Sequence, residues 1–337
     1  MDRVLLKGAL AELFDEGAAR FDASMAELTT FRIGGPADVL VEPRTAGEAR
    51  VVLEACRRLG VAVRVMGLGS DVLVADEGLR CVVVRIAESL SQVEVDGERM
   101  HVEAGASNAD VARRACEEGL AGYEFACGIP GTVGGAAIMN AGAYGGEFKD
   151  VAESVRCLTP EGELVDVDAE RAQWSYRHSM MGEAGFVVLG STLRLAPDDP
   201  RAIRERMDDL ARRRAEKQPL ELPSAGSTFK RPAGFFVGQL VQEAGLRGYR
   251  VGGAQVSEKH TGFVVNAGDA TAADVRRLIA DVQERVRASA GVDLEPEVRM
   301  WGFEESARPQ YLATKEQMFH VKHLFAHEDD GRRQPLA

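Results

Sequence analysis

The chain has 337 residues, 45% of them apolar, and 41 Lys and Arg against 53 Asp and Glu leave a formal charge of −12. That length and apolar share give a globular protein of two or three domains rather than a disordered or fibrous one, and the acidic balance argues against nonspecific nucleic-acid binding. No apolar run approaches the length of a bilayer span, and MDRVLLKGALAELFDEG carries early acids where a leader would be basic, so a cytoplasmic enzyme with no membrane partner is expected.

Residues 1–28 read as an N-terminal helical segment. Ser/Thr-x-x-Asp/Glu signatures begin at Thr45, Ser107 and Thr271, where an N-cap hydroxyl and an N3 carboxylate can satisfy each other's neighbouring N–H groups. The first two predict helices to Gly60 and Gly119. Strands are expected at 61–65 and 81–86, then at 93–95 and 100–103 around an Asp96-Gly97 hairpin turn. Further strands are expected at 154–158 and 163–167 around Pro160-Glu161-Gly162, and at 186–195. Hairpins mixed with helices favour an α+β fold over a doubly wound parallel sheet.

The string APDDP around Pro197–Pro200 breaks the last of these strands and precedes a long charged helix, which sets a domain boundary there: 29–198, then 199–303. From Arg201 to Lys259 there are twelve Lys and Arg against seven Asp and Glu. Fixed cations in a cleft would attract an anionic small molecule, while for the helix Arg201–Lys217 alone a solvated charged face is the simpler reading. The second domain should hold a loop at 223–234, a short helix at 237–244, strands near Ala254 and at 262–266, and a helix from Thr271 to Gly291 with Val275, Leu278, Ile279, Val282 and Val286 on one face. Residues 304–337 turn polar, lose periodicity and are expected to be disordered. The five cysteines, Cys56, Cys81, Cys116, Cys127 and Cys157, lack CxxC spacing and predict reduced, mostly buried thiols. His320 and His323, without a third ligand, do not make a metal site.

The segment Gly128–Gly146, GIPGTVGGAAIMNAGAYGG, has seven glycines and four alanines in nineteen residues and no charge. Such a density suits a large flat or phosphorylated ligand that touches main-chain N–H groups, a dinucleotide above all. It is neither a P-loop, lacking the Lys-Ser/Thr pair, nor the GxGxxG of a Rossmann unit.

Seven strings share one pattern in order: TTFRIGGPADVLVEP from Thr29, MGLGSDVLVAD from Met66, the loop from Gly128, YRHS from Tyr176, KQPLELPSAGSTFKRP from Lys217, GLRGYRVGGAQVSEKHTGFVVNAG from Gly245, and LEPEVRMWG from Leu294. Together they resemble the UDP-N-acetylenolpyruvoylglucosamine reductase (MurB) family, in its shorter variant without an inserted tyrosine-bearing loop. The resemblance implies a vanillyl-alcohol-oxidase-like (PCMH-type) FAD-binding domain in two α+β halves, followed by a C-terminal α+β substrate domain. It implies FAD as cofactor, NADPH as co-substrate, and reduction of UDP-N-acetylglucosamine enolpyruvate to UDP-N-acetylmuramate by a monomer that uses no metal.

By the same resemblance Gly67, Gly69, Ser70, Asp71, Gly128, Ile129, Pro130, Gly131, Thr132, Gly134, Gly135 and Asn140 would meet FAD. Asp71 stands where the family usually has Asn, and a carboxylate near phosphate is repulsive unless it accepts local backbone hydrogen bonds. Arg177 and Glu297 would stabilise charge on the substrate carboxylate and Ser227 would protonate the carbanionic carbon. Each also has a plain alternative as an ion pair, a strand carboxylate or a turn former. Tyr176, Lys217, Lys230, Arg231 and His260 are the candidates for substrate contact, Lys217, Lys230 and Arg231 for the substrate diphosphate or the NADPH phosphates, and Met181 replaces a common aromatic, which implies altered packing of a strand there.

Overall fold

Short apolar runs pair into three main sheets in the computed structural model, which describes residues 19–303. Residues 1–18 and 304–337, with most of the expected N-terminal helical segment, the expected disordered tail, His320 and His323, lie outside the described residues.

The first sheet runs Ala19–Ser24, Pro36–Val41, Leu79–Arg85, Val63–Met66. The first pair is antiparallel and the other two are parallel, with helix α1 (Ala46–Arg58) in the connection. Ala19–Ser24 corrects the expected N-terminal helix, of whose described part only Met25–Leu28 is helical. The string ARFDAS alternates apolar and polar, the period of a strand, and sets Phe21 and Ala23 opposite Val39 and Ala37.

The second sheet is antiparallel throughout, in the order Leu164–Asp168, Ala152–Leu158, Val187–Arg194, Arg99–Glu103, Val93–Asp96. Helix α2 (Asn108–Glu117) and helix α3 (Val133–Met139) bury Val111, Ala115, Val133 and Ala137 in a core shared by both sheets. The expected α+β mixture is what forms. Met181 lies on a helical turn, Met180–Glu183, not on a strand, and is fully buried.

The charged helix α4 (Pro200–Lys217) was expected to open the second domain, yet it buries Ile203 and Met207 in the core of the first. The second core gathers residues from Ala225 onward together with Phe31, Ile33 and Leu73 from the first part. It belongs to the antiparallel sheet Ser224–Ser227, Phe263–Asn266, Ala254–Val256, Arg250–Val251 with helices α5 (Val237–Glu243) and α6 (Ala272–Ala290). Of the three expected capping boxes, that of α6 is the one fully reciprocal: Thr271 accepts from Asp274 N while Asp274 accepts from Thr271 N. At α1 and α2 the Thr45 and Ser107 hydroxyls cap alone, and Glu48 accepts instead from Arg44 N.

Two ties fix the halves against each other. Asp76 in the first part accepts from Ala272 N and Ala273 N at 2.8 and 3.0 Å, an anion at the positive end of α6. Arg299–Trp301 returns to pair parallel with Val72–Val74, Arg299 opposite Val72. This return brings Glu297 back to the glycine turn that precedes Val72.

Candidate active site

Two glycine turns meet so closely that side chains would collide. A Cβ on Gly67 would lie 2.3 Å from Thr132 Oγ1, and one on Gly131, at φ +112°, would lie 2.6 Å from Ser70 Oγ. Neither partner is free to retreat: Ser70 Oγ donates to the Pro130 carbonyl at 3.1 Å, and buried Thr132 caps α3 by accepting from Gly135 N. Their surfaces form one wall of a cavity of about 300 Å³, lined there by Gly67, Gly69, Ser70, Asp71, Ile129, Pro130, Gly131, Thr132, Gly134 and Gly135. Asp71 Oδ2 and Gln218 Oε1 are buried in the same lining with no hydrogen-bond partner among the described residues. Bare main chain and unsatisfied polar atoms together suit an extended dinucleotide.

Arg177, Ser227 and Glu297 line the same cavity. Arg177 sits at the tip of a tight turn closed by two bonds, Ser175 N to His178 O and His178 N to Ser175 O, at 3.1 and 3.2 Å. Its φ of +54° is a conformation that non-glycine residues adopt at a cost, and the surrounding structure imposes it. Part of that constraint is Asn140, whose Nδ2 donates to Ser175 O and Glu147 Oε2, while its Oδ1 accepts from Lys149 N. Asn140, expected to meet the cofactor, is here a buried anchor of the Arg177 turn and is not part of the cavity wall.

Arg177 Nε donates to Glu297 Oε1 in a short ion pair of two largely buried side chains. Burial pushes the Glu297 carboxyl above its ordinary range and outweighs the Arg177 guanidinium, which pulls it down. Glu297 N donates to the Thr228 carbonyl at 2.9 Å, so Ser227 and Glu297 lie on neighbouring backbone segments. The Ser227 hydroxyl has no partner among the described residues and is exposed to the cavity.

The remaining candidates lie outside the cavity wall. Gly128 leaves room for Arg214, whose Cδ would stand 2.9 Å from a Cβ there. Tyr176 is exposed, lies under the Arg177 guanidinium and accepts from Arg231 N at 3.0 Å. Lys230 pairs with Glu295 at 2.5 Å, and Arg231 stacks on exposed Phe236 at 4.0 Å. Lys217 is exposed in the last turn of α4. His260 Nδ1 accepts from Gly262 N and its ring packs edge-on against Phe263, with burial lowering its pKa.

Two cavity residues escaped sequence reasoning. Arg214 and Arg299 both line it. On α4, Arg206 and Arg212 are exposed and paired with acids, whereas Arg214 turns inward and has no ion pair among the described residues. Desolvation lowers its pKa, which marks a cation held ready for an anion. In the run Arg212 to Arg214 successive side chains turn about 100° around the helix, and only packing tells which of them faces the core side. All five cysteines are free and four are buried, as expected. Among the described residues no helix is long and apolar enough to cross a membrane, and no group of three or more His, Cys, Asp or Glu is arranged to hold a metal ion.

Comparison with known proteins identifies the family. Residues 37–168 match the family model "FAD binding domain", and residues 218–301 match "UDP-N-acetylenolpyruvoylglucosamine reductase, C-terminal domain". The UDP-N-acetylenolpyruvoylglucosamine reductase of Agathobacter rectalis is 49% identical over 314 residues, 90% of this chain and 99% of its own. That of Clostridium beijerinckii is 44% identical over 88% of this chain and 97% of its own. The crystal structure of the Thermus caldophilus enzyme superposes with a TM-score of 0.72 at 35% identity, covering 84% of this chain and 98% of that one. The first part thus has the PCMH-type FAD-binding fold.

Proposed function

The chain belongs to the UDP-N-acetylenolpyruvoylglucosamine reductase family, and from that premise we propose how its own residues carry the reaction. It is an FAD-dependent oxidoreductase that reduces UDP-N-acetylglucosamine enolpyruvate with NADPH to UDP-N-acetylmuramate, in peptidoglycan precursor synthesis. When bound, FAD supplies the two-electron relay between NADPH and the alkene.

The glycine wall holds the dinucleotide by main-chain N–H groups, with Ser70 and Thr132 fixing the geometry of the two turns and Arg214 offering one cation to a phosphate. Charge then develops on the carboxylate of the enolpyruvyl group as the far alkene carbon is reduced. Arg177 binds that carboxylate and stabilises the developing charge with a planar guanidinium that is never deprotonated. Glu297 keeps Arg177 aimed, and its raised pKa lets it hold a proton toward the same oxygens. Ser227 Oγ delivers a proton to the carbon next to the carboxylate, which is basic enough to take one from a hydroxyl. The observation that carries this reading is the convergence of Arg177, Ser227 and Glu297 on the cavity that the glycine turns also line.

Tyr176, Lys217, Lys230, Arg231 and His260, outside the cavity wall, are assigned to grip the nucleotide end of the substrate. For Lys230 this requires exchanging Glu295 for phosphate. Such a swap is cheap because the pair is solvent-exposed. The reading includes action as a monomer in the cytoplasm.

The visible spectrum of the purified protein tests it. Flavin absorption should bleach on anaerobic addition of NADPH and return on addition of UDP-N-acetylglucosamine enolpyruvate. A reduced spectrum that persists with that substrate would contradict the assignment of the three residues, and a colourless protein that takes up no FAD would contradict the whole reading.

A further inference from the structure

Asp71 is a carboxyl group in a place where a carboxylate has nothing to hold. It begins the parallel pairing that returns Arg299–Trp301 to Val72–Val74, and its carbonyl accepts from Arg299 N at 3.1 Å. Its side chain lines the cavity directly after the Ser70 turn. Oδ2 is buried without a partner, and neither side-chain oxygen bonds to any other described residue, so the carboxyl does not serve to brace the loop.

The groups facing it divide. Arg299 and Arg177 favour the ionised form, while Glu297 and burial oppose it, burial most strongly. The acid is pushed up to about 8 from an ordinary 3.8, so Asp71 is mainly protonated in neutral solution. A diphosphate or a flavin carbonyl presented to this wall brings acceptor atoms and more negative charge, both of which favour the protonated form further.

We propose that Asp71 serves the FAD site as a carboxylic acid, its Oδ2–H donating a hydrogen bond to an acceptor atom of the bound cofactor, so that alkaline solution releases FAD. This rests on the FAD reading above. The sign follows from linkage. A ligand that requires the protonated group takes up a proton when it binds near or above the group's own pKa, and its affinity then falls about tenfold per pH unit.

The test is a titration of apoprotein with FAD, followed by flavin fluorescence, from about pH 6 to about pH 9.5, on either side of the Asp71 midpoint. The wild-type dissociation constant should be level at the acid end and rise about tenfold per unit above the midpoint. Asp71→Asn, an uncharged donor of the same shape, should give a level profile and bind more tightly than wild type at the alkaline end; Asp71→Ala should bind weakly throughout. Calorimetry of the wild type in two buffers of different ionisation enthalpy should show proton uptake on FAD binding above the midpoint, and this arm stands even if the variants do not fold. Parallel profiles for wild type and Asp71→Asn, or no proton uptake by the wild type, would overturn the role of Asp71 while leaving the FAD reading intact. Absence of FAD binding at every pH would overturn both.

Discussion

The wall made by Gly67–Ser70 and Ile129–Gly135 offers main chain with almost no charge, whereas Arg177, Ser227 and Glu297 bring charge and a hydroxyl to the same cavity on segments from two different parts of the fold. The first is rigid because its own atoms interlock, Thr132 against Gly67 and Ser70 against Gly131. The second is rigid because distant residues hold it: Asn140 braces the Arg177 turn, and Glu297 is fixed through the backbone of Thr228. Neutral, preformed donors suit a cofactor that is held through every turnover. Groups whose charge is tuned by burial suit the changing charge of a substrate.

Damage confined to one wall should therefore show in one measurement. Ser227→Ala is expected to have the largest effect, slowing reoxidation of the reduced enzyme by the enolpyruvyl substrate by about 10²–10⁴-fold while reduction by NADPH is retained. Stopped-flow measurement of the two half-reactions decides it, and equal losses in both would remove Ser227 from the proton-transfer role. Arg214→Met removes a cavity-lining cation that has no ion pair among the described residues. A charge-assisted bond is worth about 1.5–3 kcal/mol, so dinucleotide affinity should fall by roughly ten- to a hundredfold, with little change in the rate of the substrate half-reaction once saturated. Unchanged affinity for both FAD and NADPH would show that Arg214 is only packing. Gly67→Ala should cost about 1–3 kcal/mol through its clash with Thr132, read as a lower Tm and a smaller flavin content per chain. A normal Tm with full flavin would mean that the two turns are looser than their contacts indicate.

The two walls were also unequally legible. The glycine wall could be read directly, since a run without side chains has few uses other than close approach to a ligand, and ten of the twelve residues named for it from Gly67 to Gly135, Gly128 excluded, are contiguous or nearly so along two strings. Asn140 was less legible, because an amide in a glycine-rich string looks the same whether it faces a ligand or, as its bonds to Ser175 and Glu147 have it, the protein. Arg177, Ser227 and Glu297 were ambiguous one by one, and only the order of whole strings pointed to them. Arg214 was hidden in a charged helix whose outward face is all that periodicity describes.

Composition, alternation and capping residues were enough to specify an α+β chain, most of its helices and strands, and a backbone-lined dinucleotide loop, because those features depend on contacts between residues close in sequence. Which arginine of α4 turns inward, that α4 joins the first core, and that Asp71 and Glu297 become neighbours were decided by tertiary structure. The last follows from a three-residue parallel pairing across more than two hundred positions of chain. No local pattern encodes such a pairing, and the burial it creates is what sets the charge of both carboxyl groups.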